Sequence, residues 1–128
     1  MKLSPELHAE AVKMAQDHPE DIVAVYAIVS SSCVFASPSH ETILGYTTTE
    51  MLGKSWQTFV APEDHAHAAL AGADAMLMGN SIEFGFLGLT KSGERVAMRG
   101  SARIRTNPGT LTPFLFFRAH RHDRATHK

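Results

Sequence analysis

The sequence predicts an α+β domain in which helices lie on one face of an antiparallel sheet. Three observations carry this. Runs of β-branched and aromatic residues come in two groups, residues 22–37 and 81–120, and the turns inside each group are short enough to make neighbouring strands antiparallel. Between them lies a stretch of short helical segments ending in one longer helix, so the order is helix, two strands, helices, three strands. And 44% of the 128 residues are hydrophobic, which supports one packed core and argues against disorder.

The first element is a helix over residues 4–17, SPELHAEAVKMAQD. Ser4 suits the N-cap and Pro5 the first helical position. Leu7, Ala11 and Met14 share a face, with Leu3 just before it, and His18-Pro19 stops the helix. So short an apolar stripe cannot hold a helix alone, so it docks on something. IVAVYAIVS (22–30) reads as a strand, Ser30–Ser32 as a turn, and CVFAS (33–37) as a second strand that Pro38 ends. The stretch GYTTTEMLGKSW (45–56) packs two helix stops, Gly45 and Gly53, around a helix cap, with the only tryptophan directly after. Pro62, Glu63 and Asp64 favour a helix start, and Gly79-Asn80 a stop. The stripe expected to face the core of that helix is Ala66, Leu70, Ala73 and Leu77. Its alanines let another layer approach closely.

Three strands close the chain: residues 81–90, 95–105 and 111–120, joined by KSGE and TNPGT. Alternation puts Phe84 and Phe86 toward the helices and Glu83, Leu87 and Leu89 away from them. Gly88 falls on the inner face, where a missing side chain leaves space for a ligand or for Trp56. On the outer face Leu87 and Leu89 are expected to join Phe114 and Phe116, with Arg95, Arg99 and Arg103 on the strand between. Such an apolar patch wants a cover. The stripe of Leu3, Leu7, Ala11 and Met14 is the nearest one, from its own chain or from a partner.

Several function classes fall away. Twelve basic against 13 acidic residues give a formal net charge of -1, so direct nucleic-acid binding is not expected. No apolar run approaches roughly 18 residues and no signal peptide is recognisable, so the reading is of a chain off the membrane, cytoplasmic or, in a eukaryotic regulator, nuclear. The single Cys33 cannot form an internal disulfide, which suits a reducing compartment. No nucleophile–base pair, phosphate loop or carboxylate pair stands out, so no enzyme is expected. The eight histidines are scattered. His65 and His67 are two apart and cannot share a metal on one helix face. His120 and His122 share a face at a strand end without a third ligand, and His127 is tail, so no metal site is assigned.

The order of elements, together with VFASPSHETILGY (34–46), TTTEMLGKS (47–55), FVAPEDH (59–65) and TKSGERV (90–96), resembles a PAS domain over about residues 22–123. The resemblance implies a five-stranded antiparallel sheet in the order 2-1-5-4-3, with short helices and one longer helix enclosing a small cavity. It divides the chain into a flanking helix (1–20), a PAS domain (21–123) and a tail (124–128). It also implies the role of the glycines: the short helices turn sharply to wrap the cavity, and Trp56 follows on the segment that lines or lids it. In the light-sensing branch of the family a flavin-bonding cysteine stands where this chain has Ser55 and Trp56, so no thiol adduct is expected. Haem-binding members ligate iron through a histidine where this chain has Ala69; His65 lies one turn earlier. Asp123 and Lys128 are similar to the family's exit motif, with Arg124 and Ala125 departing from it.

The implied function is a sensory module that binds a small apolar or aromatic ligand and mediates protein–protein contact, without catalysis. The expected pocket residues are Tyr46, Trp56, Phe59, His65, Ala69, Ala73, Phe84, Phe86 and Gly88. The expected interface is Leu3, Leu7, Ala11, Met14, Leu87, Leu89, Phe114 and Phe116, serving a homodimer or contacts with effector or other PAS domains. The alternative is a ligand-free dimerisation module with a closed core. The weaker alternative is a haem- or flavin-binding redox or gas sensor; no cofactor is assigned.

Overall fold

The computed structural model describes residues 2–122. The tail 124–128, with His127, and the comparison of Asp123, Arg124, Ala125 and Lys128 with an exit motif lie outside those residues. The chain runs α1 (Pro5–Asp17), β1 (Ile22–Ala27), β2 (Ser32–Ala36), α2 (Ser39–Ile43), α3 (Thr48–Met51), two 3-10 turns (Trp56–Phe59 and Pro62–Asp64), α4 (His65–Met78), β3 (Ile82–Leu89), β4 (Arg95–Thr106) and β5 (Pro113–Arg121). The five strands form one antiparallel sheet in the order β2-β1-β5-β4-β3.

β1 is buried on both faces, which is why its sequence shows no alternation. Ile22, Ala24 and Tyr26 face the helical layer, whereas Val25 and Ala27 face the other side with Phe114 and Phe116. β1 ends at Ala27, earlier than expected, because Ile28–Ser31 is needed to turn the chain and Ser31 takes a left-handed φ of 57°. In β2, Phe35 pairs with Val25 and Cys33 with Tyr26, so Val34 is the extra residue of a bulge. Phe35 thereby faces α1 while Cys33 faces the helical layer.

The helical stretch wraps the sheet from edge to edge. At the β2 edge the Cys33 N–H donates to the Lys54 carbonyl, and Ser32 bridges to Ser55. At the β3 edge the Ala61 N–H donates to the Leu87 carbonyl, and Val60 bridges to Gly88. Residues 55–60 therefore carry the chain across from one edge to the other, and both exposed edges are covered. This is why the sequence crowds so many stops together. Gly45 and Gly53 adopt φ of 88° and 84°, where a side chain is strained. Between them Thr47 and Glu50 form a capping box on α3.

Pro62 opens a 3-10 turn rather than the long helix, and α4 begins at His65. Asp64 is accordingly spent on the sheet: its carboxylate accepts the Leu87 N–H at 2.6 Å. The expected core stripe of α4 is overturned at its two leucines. Leu70 is 65% and Leu77 84% exposed, whereas Ala71 and Ala75 are buried against the sheet. The helix lies close on β3 and β4, and close approach selects the alanines rather than the bulkier side chains.

On the opposite face of the sheet α1 docks within the same chain. Leu7 and Ala11 pack with Val25, Phe114 and Phe116, joined by the partly buried Leu3 and Met14. Polar ties surround this contact. Asn107 accepts the Ser4 N–H and donates to the Lys2 carbonyl, and Glu10 pairs with Arg103 and Arg105.

Candidate functional site

Between the inner face of the sheet and the helical layer lies a cavity of about 300 Å³. One wall is the side of α4 that carries Ala68, Ala69, Gly72 and Ala73. A helix made of such small residues cannot fill the space in front of it, and that is the physical origin of the void. The floor is aromatic: Phe84, Phe86 and Phe117 meet with ring centroids 5.5–6.0 Å apart. Ala102 stands opposite Phe117 on the neighbouring strand and leaves room for its ring. Trp56, Phe59 and Met51, from the wrapping segment, form the third side.

Of the expected pocket residues, Trp56, Phe59, Ala69, Ala73, Phe84 and Phe86 reach this cavity, and three others stand off it. Tyr46 packs edge-on behind Phe59 with centroids 4.9 Å apart. Burial, aided by the Glu50 charge, raises its phenol. His65 meets the Trp56 ring edge-on, and its Nε2 reaches the Gln57 and Val60 carbonyls at 3.0 and 2.9 Å. Carbonyls only accept, so Nε2 carries the proton and the imidazole clips the 3-10 turn to the start of α4. Gly88 does face inward, but its space is taken. A Cβ there would lie 3.3 Å from Leu44 Cδ2 and 3.3 Å from Met98 Cγ. The glycine makes room for those two side chains rather than for a ligand or Trp56.

Sequence reasoning missed two buried polar residues of the wall; the partly buried Ser31 lines it too. His40 on α2 is 1% exposed and lines the cavity. Its Nδ1 lies 2.8 Å from the Ser37 carbonyl, and burial lowers the imidazole to about 4. Tyr26 on β1, 7% exposed, also lines the cavity, and burial holds its phenol well above the usual range. The one usable signal for His40 was its place three residues after Ser37, the spacing at which a side chain in the first turn of a helix reaches back to a backbone carbonyl. For Tyr26 the inward period Ile22, Ala24, Tyr26 was legible in principle, but the apolar residues on the other face concealed it.

The residues do not fit the haem and flavin chemistries that the resemblance brings to mind. Ala69 faces the cavity without a ligating atom, and His65 gives its Nε2–H to carbonyls. Ser55 and Trp56 offer no thiol. Cys33 is buried, its thiol is pushed up to about 11 by that burial, and it donates to the Phe35 carbonyl. Among the described residues no three histidine, cysteine, aspartate or glutamate side chains group as metal ligands.

The expected interface residues are split. Leu7, Ala11, Phe114 and Phe116 are buried together under α1, with Leu3 and Met14 at the rim, so this face is already covered by its own chain. Leu87 and Leu89 lie away from it on the edge strand, opposite Ala97 and Arg95. The outward side chains of β4, Arg99, Arg103 and Arg105 among them, separate the two groups, so the expected joint patch does not form.

A profile of the PAS fold matches residues 33–112 of this chain. No curated protein matches the sequence. Among solved structures, the PAS domain of a Colwellia psychrerythraea protein superposes with a TM-score of 0.76 at 14% identity, over 90% of this chain and 97% of that one. The PAS-B domain of Drosophila melanogaster Cycle, with bound ethylene glycol, gives 0.71 at 14% identity, over 79% and 99%. The N-terminal domain of a Marinobacter aquaeolei diguanylate cyclase with a PAS/PAC sensor gives 0.65 at 17% identity, over 79% and 94%.

Proposed function

Because the chain belongs to the PAS family, whose domains are sensory modules of signalling proteins, we propose that it senses a small apolar or aromatic molecule in the cavity and passes occupancy on through the sheet. The observation that carries this is the wall of α4. Ala68, Ala69, Gly72 and Ala73 leave about 300 Å³ unfilled against an aromatic floor. A cavity of this size lined by apolar groups gains from any apolar guest that displaces poorly bonded water.

The route outward is short. Leu115 and Phe117 line the cavity, and Phe114 and Phe116, their neighbours on the same strand, hold α1. A guest that moves the first pair by a fraction of an ångström shifts the ground on which α1 sits. The effector then reads α1 or the chain attached to it; the Marinobacter relative, whose PAS/PAC sensor belongs to a diguanylate cyclase, is one example of such an arrangement. No helix among the described residues is long and apolar enough to cross a membrane.

A second reading, a dimerisation module, is favoured by Leu70 and Leu77 on the outward side of α4. Thermal denaturation with a panel of small aromatic and aliphatic compounds decides between the two. On the sensor reading, some compounds raise the midpoint of the natural chain and none raises that of Ala73→Leu, whose side chain occupies the void. A panel without effect on the natural chain, together with a concentration-dependent midpoint, supports the dimerisation module instead.

A further inference from the structure

Two buried residues of the cavity wall, His40 and Tyr26, each carry a polar atom without a partner among the described residues, and the two atoms have complementary chemistry; Ser31 and Trp56 also line the wall but are only partly buried. His40 has its Nδ1 2.8 Å from the Ser37 carbonyl. A carbonyl cannot donate, so the proton sits on Nδ1, and Nε2 presents a bare lone pair. Nothing among the described residues donates to Nε2. Yet no side-chain nitrogen or oxygen among the described residues is sealed into packed protein unpaired, so this lone pair opens on the cavity that His40 lines. The same reasoning applies to Tyr26, which lines the same cavity and whose hydroxyl has no hydrogen-bond partner among the described residues. An acceptor and a hydroxyl on an otherwise apolar wall are costly for an apolar guest to cover unless the guest bonds them.

The rest of the lining restricts that something further. No Asp, Glu, Lys or Arg reaches the cavity, and burial keeps the imidazole neutral near pH 7. An anion or cation would enter without a counter-charge. The floor of Phe84, Phe86 and Phe117 suits a flat ring. An apolar cavity of about 150 Å³ holds a single benzene ring, so about 300 Å³ admits two fused rings.

We propose that the cavity selects an uncharged one- or two-ring aromatic bearing an O–H or N–H group, which donates to His40 Nε2, with the Tyr26 hydroxyl as the second polar contact. This rests on the reading of the cavity as a ligand site, and the test separates the two. The full chain is titrated, by calorimetry and by ¹⁵N NMR of its imidazoles, with naphthalene, 2-naphthol, 2-methoxynaphthalene and 2-naphthoate. All but the last are uncharged, and only 2-naphthol can donate. The expected result is that naphthalene binds, that 2-naphthol binds about tenfold tighter than 2-methoxynaphthalene, that 2-naphthoate binds weakest, and that the His40 Nε2 resonance moves with 2-naphthol alone. In His40→Phe the tenfold preference disappears while naphthalene still binds. Equal binding of 2-naphthol and 2-methoxynaphthalene by the natural chain, or preference for 2-naphthoate, overturns the proposal and leaves the cavity reading standing. Failure of all four to bind overturns the cavity reading itself. Because the decisive comparison is between ligands on the natural chain, it does not depend on the variant folding.

Discussion

Glu10 on α1 and Arg103 on β4 are joined by a hydrogen-bonded ion pair of 2.9 Å, across 93 positions of sequence. Arg105 donates to the other carboxylate oxygen at 2.8 Å. The N-terminal helix is thus held on the sheet by its own chain, over Phe114 and Phe116, instead of waiting for a second copy.

The first prediction is that apolar burial, not this ion pair, holds α1 in place. Leu7 is 3% exposed, so Leu7→Ala is expected to cost roughly 2–5 kcal/mol. Glu10→Gln, at a partly exposed pair, costs at most about 1 kcal/mol. Asn107→Ala lies between, at roughly 1–3 kcal/mol, because it strands the Ser4 N–H and the Lys2 carbonyl. Urea denaturation of the three variants checks the order. A Glu10→Gln loss larger than that of Leu7→Ala would contradict it.

The glycines give a second prediction. Gly53 sits at φ 84° with nothing within 4 Å of where a Cβ would stand, so Gly53→Ala meets backbone strain alone and costs about 1 kcal/mol. At Gly100 a Cβ would fall 2.5 Å from the Arg118 carbonyl oxygen and 2.7 Å from Ala119 Cβ. Gly100→Ala must therefore push β5 away from β4, and it is expected to cost well over 2 kcal/mol or abolish folding. Comparable thermal midpoints for the two variants would show that the strands part more easily than their packing implies.

A third prediction concerns acid. His40 titrates near 4 in the folded chain, because burial disfavours its charged form, and near 6.5 when unfolded. Between those values the unfolded chain binds a proton that the folded chain refuses. Stability is therefore full above about pH 6.5 and falls as the pH drops toward 4, by up to roughly 3 kcal/mol. Below 4 this loss levels off, while the Glu63 carboxylate, held down to about 2 by its hydrogen bonds from Arg95, begins to contribute. His40→Phe is expected to flatten the slope between pH 6.5 and 4. An unchanged slope in that variant would assign the dependence to other groups.

The strands, hairpins, capped helices and glycine stops were legible in the sequence because each rests on local chemistry: φ at Gly45 and Gly53, the Thr47–Glu50 box, alternation at Phe84 and Phe86. The docking of α1 was legible because its stripe is short and apolar. The inner face of α4 was not. Hydrophobicity alone selects Leu70 and Leu77, but a helix lying close on a sheet buries whatever is small, here Ala71 and Ala75. Gly88 misled for a related reason. A missing side chain leaves room only if no neighbour reaches in, and here Met98 from the paired strand and Leu44, 44 residues earlier in the chain, both do. His40 and Tyr26 escaped because their importance lies in an unmade hydrogen bond, which no local pattern encodes.

A fourth prediction follows from the shape of the void. Ala69→Leu and Ala73→Leu place methyl groups where there is space, so each is expected to be neutral or stabilising, by up to about 1 kcal/mol. Trp56→Ala enlarges the cavity and, because the indole is only partly buried, is expected to cost about 2–3 kcal/mol, below the range for a fully buried ring. Destabilisation by both leucine variants would mean that the α4 wall is packed, not vacant.

The central claim is that the space beneath α4 receives a guest, and methyl NMR of the full chain titrated with toluene tests it most directly. The account predicts saturable shifts at Leu44, Met51, Met76 and Leu115, which line the cavity, with Leu70 and Leu77 on the outward side of α4 unmoved. Shifts confined to Leu70 and Leu77, or no saturable shift at any of these methyls, would contradict it.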